Sequence, residues 1–242
     1  MGTSFTQFLG GASGNQSVVL TGNATANTLG AWSLFGSVTD PVNEIVLLFD
    51  ATNSVVNNTL CNIGIGSSGS QIIVAENIPF LTLLTTPLDW AIRLRVKNIP
   101  PNTDIWGQIQ SDAGAIAPRF SLGVGQNSER SSTLLQVLGA DPGTSGGTSY
   151  TTGNGAYGAW TSLGTLVGRA ETLFFMGTRA GSALTTVNIG VGASTSQVIV
   201  AENVPVLYNQ PFIEVPGSYP PGEYWIQGYA DGSTLEAAIV FN

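Results

Sequence analysis

A duplicated segment constrains the fold of this chain more than any other feature. Residues 62–81 read NIGIGSSGSQIIVAENIPFL, and residues 188–207 read NIGVGASTSQVIVAENVPVL. Fourteen of these twenty positions are identical, and the copies are offset by 126 residues, the size of a small domain. Three of the six differences exchange isoleucine for valine, which keeps the β-branch and nearly keeps the side-chain volume. The two segments must therefore fold alike.

The correspondence extends over nearly the whole chain once short insertions are allowed. Further matched positions are Gly-Ala-Trp at 30–32 and 158–160, a glutamate before an apolar run at Glu44 and Glu171, and a Pro-Pro pair before a tryptophan at 100–106 and 220–225. We therefore predict two tandem homologous units at 4–124 and 134–242. The polar residues 125–133 between them have the composition of a linker.

The residue pattern within each unit is typical of β-structure. The run at 72–74 is apolar and β-branched, and it is bounded by a Gly-Ser segment and an Asn-x-Pro turn. Residues 90–96 alternate between apolar and polar side chains, the period of a strand with one face in water. Trp32 and Trp160 both follow Gly-Ala, which favours a role as core anchors. The sequence predicts an all-β protein of two tandem antiparallel β-sandwiches, resembling jelly rolls.

Composition narrows the classes of partner. Charged residues make up only 9% of the chain, and seven Lys and Arg against fifteen Asp and Glu give a net charge of −8. Affinity for nucleic acid depends on clustered basic residues, so a nucleic-acid partner is excluded. No apolar run reaches the ~18 residues that span a bilayer, and the start lacks a secretory signal, so we predict no membrane partner and synthesis in the cytoplasm. So low a charge suits a protein packed among neighbours in an assembly.

Few residues are candidates for catalysis or cofactor binding. The chain has no histidine, which removes the commonest general base and a leading metal ligand. Glu76 and Glu202 occupy the same position in separate units, so a shared structural role is favoured over a catalytic carboxylate pair. A calcium site formed by Asp40, Glu44 and Asp50 is disfavoured, because their spacing matches no EF-hand. We predict a protein that is not an enzyme and holds no cofactor or metal, with a carboxylate-only glycosidase as a remaining alternative.

Three basic residues that the second unit lacks are candidates for partner contact. Arg93, Arg95 and Lys97 lie on one predicted strand of an acidic protein. They predict a docking edge for an acidic partner surface. Charged side chains on an edge strand also prevent aggregation, and the sequence favours neither interpretation over the other.

The tyrosines are a second set of candidates, because all six lie in the second unit. They are Tyr150, Tyr157, Tyr208, Tyr219, Tyr224 and Tyr229. Among them we select Tyr208, Tyr219 and Tyr224 as interface candidates. Tyrosines in loops and at strand ends are suited to stacking on a glycan or to lining a subunit contact.

Three segments of the first unit follow one another in a characteristic order. They are Gly-Ala-Trp at 30–32 before an apolar strand, NIGIGSSGSQ at 62–71, and IPPNT at 99–103 before Trp106 and Gln110. This succession resembles β-sandwich structural proteins of tailed bacteriophages. Those relatives have a proline-glycine turn where this chain has Asn102 and Thr103, and no functional residue carries over from them.

The resemblance implies a structural protein of the virion, made in the host cytoplasm. The expected role is a capsid decoration or cement protein that binds the major capsid protein or other virion proteins. Self-association about a symmetry axis of the shell is expected, with a trimer as the first hypothesis, because many copies turn weak contacts into firm attachment. The alternative is a tail or baseplate module that binds a receptor or glycan.

Overall fold

The computed structural model describes residues 4–10, 17–50, 58–80, 89–126, 135–178, 185–206 and 212–242. Every regular element within these residues is a β-strand, which confirms the all-β prediction. None of them belongs to a helix long and apolar enough to cross a membrane.

The first unit consists of two antiparallel sheets. Its strands are β1 (Ser4–Leu9), β2 (Val18–Val19), β3 (Ser33–Ser37), β4 (Val42–Asp50), β5 (Thr59–Ile65), β6 (Ile72–Phe80), β7 (Asp89–Ile99), β8 (Asp104–Ser111) and β9 (Arg119–Gln126). Sheet I has the order β1-β9-β4-β7, and β2 also pairs with β9. Sheet II has the order β3-β8-β5-β6.

The second unit repeats this arrangement with additional short strands. Its strands are β10 (Gln136–Leu138), β11 (Ala140–Asp141), β12 (Gly146–Thr151), β13 (Gly153–Tyr157), β14 (Thr161–Leu166), β15 (Ala170–Gly177), β16 (Thr185–Val191), β17 (Val198–Val206), β18 (Phe212–Tyr219), β19 (Gly222–Asp231) and β20 (Thr234–Phe241). Sheet III has the order β11-β12-β20-β15-β18, and β10 also pairs with β20. Sheet IV has the order β13-β19-β16-β17, and β14 also pairs with β19.

Both units have jelly-roll topology. When β2, β11, β12 and β13 are left out and the other strands of each unit are numbered in chain order, sheets I and III read 1-8-3-6 and sheets II and IV read 2-7-4-5. This interleaving of early and late strands across two sheets is the jelly-roll order. The prediction of two tandem antiparallel β-sandwiches is confirmed.

The pairing register adjusts two details of the sequence alignment. Glu44 pairs with Arg95 of β7, and Thr172 pairs with Pro216, which holds the equivalent position in β18. The structural counterpart of Glu44 is therefore Thr172 and not Glu171. Strand β9 continues to Gln126, so it includes the first two positions of the predicted linker 125–133. Residues 127–134 lie outside the described residues.

Each sandwich buries its own apolar core. In β7 the alternation predicted from sequence is observed, since Ile92, Leu94 and Val96 are buried in the core of the first unit. Cys61 is fully buried beside them, and burial raises the pKa of its thiol, as expected of a small apolar side chain rather than a reactive one. The corresponding residue Val187 lies in the core of the second unit.

Trp32 and Trp160 lie outside these cores, so the prediction that they are core anchors is wrong. Both are half-buried, and each lies across a glycine, Gly64 of β5 in sheet II or Gly190 of β16 in sheet IV. A Cβ at Gly64 would come within 2.9 Å of the Trp32 ring, and one at Gly190 within 3.0 Å of the Trp160 ring. These glycines alternate with inward residues of β5 and β16, so the rings cover the outer faces of sheets II and IV.

Candidate functional site

The second unit binds the first through the outer face of sheet III. Five apolar side chains of this face belong to, or pack against, the hydrophobic cluster of the first unit: Val137, Phe174, Met176, Ala238 and Val240. Leu173 and Phe175, their neighbours in β15, point the other way into the core of the second unit. We call this surface the docking face. It covers the side of the first sandwich where β6 and β7 are the edge strands.

Polar contacts fix the docking face on the first unit. The side-chain amide of Asn242 donates to the carbonyl oxygen of Arg93 at 2.7 Å, and the backbone N–H of Arg95 donates to Asn242 Oδ1 at 3.1 Å. These two bonds satisfy backbone groups on the outer edge of β7. Without them, the carbonyl of Arg93 and the N–H of Arg95 would lack these partners at the sheet edge. Arg95 Nη1 also lies 3.5 Å from Glu171 Oε2 of the second unit.

The three basic residues predicted as a docking edge have different surroundings. Arg95 contacts the second unit, so it is an interface residue within the chain. Arg93 pairs with the fully buried Glu44, with 3.3 Å between Arg93 Nε and Glu44 Oε1. Lys97 is exposed. Contact of Arg93 and Lys97 with another molecule stays a prediction.

The outer face of sheet I is the counterpart of the docking face. Phe8 of β1 occupies the position that Val137 of β10 holds in the second unit, because each pairs with the equivalent residue of the last strand. The Phe8 side chain is 67% exposed. We call this surface the basic face, and its residues are Phe8, Arg93, Lys97 and Arg119.

Two of the predicted interface tyrosines belong to the core of the second unit. Tyr219 and Tyr224 are 1% and 0% exposed, and their hydroxyls donate to the carbonyl oxygens of Val215 and Pro220. Burial raises the pKa of Tyr219 to about 12 and raises the pKa of Tyr224 as well. They offer no surface to a partner, which corrects the expectation from sequence. Tyr208 lies outside the described residues.

A different pair of tyrosines lies on the outer face of sheet IV. In β19, Tyr224 and Ile226 point into the core, so Trp225, Gln227 and Tyr229 point outwards. The rings of Tyr157 and Tyr229 meet edge to face with their centroids 5.7 Å apart, and Tyr229 is 40% exposed. We call this surface the aromatic face, and its residues are Tyr157, Trp160, Trp225, Gln227 and Tyr229.

The same place on the first unit is closed. Gln110 occupies the position of Tyr229, and Leu60 beside it is fully buried. The amide of Gln110 donates to the carbonyl oxygen of Pro142 at 2.7 Å and to the hydroxyl of Ser145 at 3.1 Å, so a turn of the second unit covers it. The outer sheet face is therefore open in the second unit and occupied in the first.

The carboxylates considered for catalysis do not face one another in the described part of the chain. Glu76 lines an open cleft of about 300 Å³ between the units, together with residues 73–77, residues 135–137 and Ala140. No second carboxylate is among these lining residues, whereas glycoside hydrolysis needs two across the sugar. Glu202 is exposed on the second unit. The described residues also contain no cluster of three or more His, Cys, Asp or Glu that would hold a metal ion.

Comparison with known proteins gives weak similarities of fold. No protein-family model matches the chain, and no curated protein matches it. The chain is similar to the tandem CBM22-1–CBM22-2 domain of Paenibacillus barcinonensis Xyn10C, at 8% identity and a TM-score of 0.27, over 99% of this chain and 94% of that one. It is also similar to a structure of infectious bursal disease virus, Gt strain, at 10% identity and a TM-score of 0.26, over 96% and 74% of the two chains. At these scores neither similarity carries an argument about function.

Proposed function

We propose that the protein is a non-enzymatic structural protein of a virus particle, a decoration or cement protein that attaches to the surface of the head. The observation that carries the proposal is the contrast between sheets I and III. The second unit uses the outer face of sheet III to bind another folded unit, and the first unit presents the equivalent face of sheet I outwards. The basic face is the attachment surface in this proposal.

The side chains of the basic face define the chemistry of the partner. Phe8 supplies exposed apolar area, and Lys97 and Arg119 supply positive charge on a protein whose net charge is −8, while the charge of Arg93 is balanced by Glu44. This combination fits an acidic surface with an apolar recess, as on the major capsid protein or another virion protein. Self-association about a symmetry axis, as a trimer, would multiply such contacts into firm attachment.

Gold-labelled antibody against this chain, applied to purified particles from the source, tests the assignment. We expect label distributed regularly over the head. Label confined to the tail would contradict decoration, and absence of label from every particle would contradict the virion proposal altogether.

Sedimentation of the purified protein with shells that lack it tests the attachment surface. Phe8→Ser and Lys97→Glu change exposed side chains of the basic face, and we expect each to weaken binding about tenfold, equivalent to ~1.4 kcal/mol. The matched controls are Val167→Ser and Arg169→Glu, which make similar changes at exposed positions of the second unit. Equal losses in the controls and the test variants would contradict attachment through the basic face.

A further inference from the structure

The aromatic face has a composition and geometry that attachment through the basic face leaves unexplained. It lies on sheet IV of the second unit, whereas the basic face lies on sheet I of the first. We propose that the aromatic face binds a neutral carbohydrate chain. This inference goes beyond the proposed attachment and does not depend on it.

The rings of the aromatic face are held in place by the surrounding structure. Trp225 Nε1 donates to the carbonyl oxygen of Gly192 at 2.8 Å, which fixes the indole. The hydroxyl of Tyr157 donates to Asn203 Oδ1, and its ring braces that of Tyr229. Trp160 lies across Gly190, where the absence of a Cβ admits the ring. Rings fixed in advance lose little conformational freedom when a ligand binds.

The spacing of the outward residues in β19 suits an extended ligand. Trp225 and Tyr229 are four residues apart in one strand, which separates them by about 13 Å. Gln227 projects between them, and its side-chain amide makes no hydrogen bond to any other described residue. The face thus offers two separated ring surfaces with a hydrogen-bonding amide in the middle.

A sugar chain matches this alternation of rings and amide. A pyranose ring presents C–H groups on its face and hydroxyls at its rim, so an aromatic ring packs against the face while an amide binds the hydroxyls. Ligand sites typically combine aromatic walls with a few orienting polar groups in this way.

The charge of sheet IV favours a neutral sugar over a nucleic acid as the ligand of the aromatic face. Single-stranded nucleic acids also stack on aromatic side chains, but they require a basic groove for the phosphates. Strands β13, β14, β16, β17 and β19 contain no Lys or Arg, and they contain Glu202 and Glu223. These carboxylates would repel phosphate and accept hydrogen bonds from sugar hydroxyls.

Native electrophoresis through gels that contain a soluble polysaccharide tests the proposal on the full chain. The probes are a β-glucan, a mannan, a galactan and a xylan, each compared with a gel without polysaccharide. We expect at least one of them to retard the protein. We expect Tyr229→Ala to weaken that interaction at least tenfold and Tyr229→Phe to change it less than about threefold, because the ring supplies the contact. The matched control is Leu34→Ala, which removes an exposed apolar side chain from sheet II of the first unit.

Each outcome decides the proposal. Retardation that falls with Tyr229→Ala and survives both Tyr229→Phe and Leu34→Ala supports it, provided that thermal unfolding shows the variants to be folded. Migration unaffected by all four polysaccharides overturns it, as does equal retardation of wild type and Tyr229→Ala. An equal loss in Tyr229→Phe would show that the hydroxyl matters rather than the ring, and would overturn the stacking arrangement. Attachment to virus shells should be unchanged in Tyr229→Ala, so the two proposals fail independently.

Discussion

The two units have the same topology, but different surfaces of each are covered by the other unit. The first unit has its β6 and β7 side covered by its neighbour, so Ile92 and Leu94 are 1% and 0% exposed. Their counterparts in the second unit, Ile213 and Val215 of β18, are only half-buried. Conversely, the outer face of sheet III is covered in the second unit, whereas the equivalent face of sheet I is open in the first unit. Duplication has thus produced one fold with two complementary sets of free surfaces.

The open edge of the second unit is protected by its sequence. In β7, the N–H of Arg95 is capped by Asn242, whereas the counterpart of Arg95 in β18 is Pro216, which has no N–H to cap. Proline at a strand edge discourages pairing with another chain. The counterpart of Asn242 in the first unit is Gly125, which lacks a side chain to make the capping bonds. The contact between the units is therefore specific to this order and is not built to repeat from one molecule to the next.

The largest effect that would break this comparison is expected at the centre of the docking face. Phe174 is buried between the units, and its counterpart in the first unit is Val46, on the outer face of sheet I. We expect Phe174→Ala to lower the free energy of unfolding by about 3–5 kcal/mol, because it opens a cavity between the two units. Chemical denaturation measures it. Val46→Ala is the matched control and should cost less, and equal costs would contradict a shared apolar interface.

A smaller effect tests what the two units have in common. Asn62 and Asn188 are buried at equivalent positions, and the Oδ1 of each accepts a bond from the backbone N–H of Asn77 or Asn203, at 2.7 and 2.8 Å. These bonds hold Asn77 and Asn203 in the same left-handed conformation, with a φ of 54° in both units. We expect Asn62→Ala and Asn188→Ala each to cost about 0.5–1.5 kcal/mol, because each removes the side-chain acceptor of a part-buried hydrogen bond.

Denaturation of the two variants beside Asn98→Ala gives the control, since Asn98 is exposed. The two variants should have similar costs, within about 1 kcal/mol of each other, because the two hydrogen bonds have nearly the same length. A cost at one position alone would show that the duplicated segment serves stability in only one unit.

The sequence predicted what the two copies share, because the shared residues form the same strands and turns in both units. The repeated segment and the alternation in β7 both led to the observed β-sandwiches. The tryptophans misled, since Gly-Ala-Trp indicates a buried ring but not on which face of the sheet it packs. That face depends on Gly64 and Gly190, which come from distant strands.

The surfaces were harder to predict because they depend on strand alternation and on the neighbouring unit. The alternation of β19 places Tyr224 inwards and Tyr229 outwards, so it would have distinguished the two tyrosines once the strand was located. The role of Arg95 required tertiary structure. Its partner Glu171 lies in the other unit, and no local pattern relates the two residues.

The smallest expected effect concerns this ion pair between the units. Arg95 and Glu171 are 15% and 49% exposed, and water screens a pair that is partly exposed. A double-mutant cycle with Arg95→Met and Glu171→Gln should give a coupling of about 0.2–1 kcal/mol that declines as salt is added. The single variants should cost more than the coupling, since both side chains have further contacts. A coupling above ~2 kcal/mol would mean that charge rather than the apolar docking face holds the two units together, and a coupling insensitive to salt would contradict a water-screened ion pair.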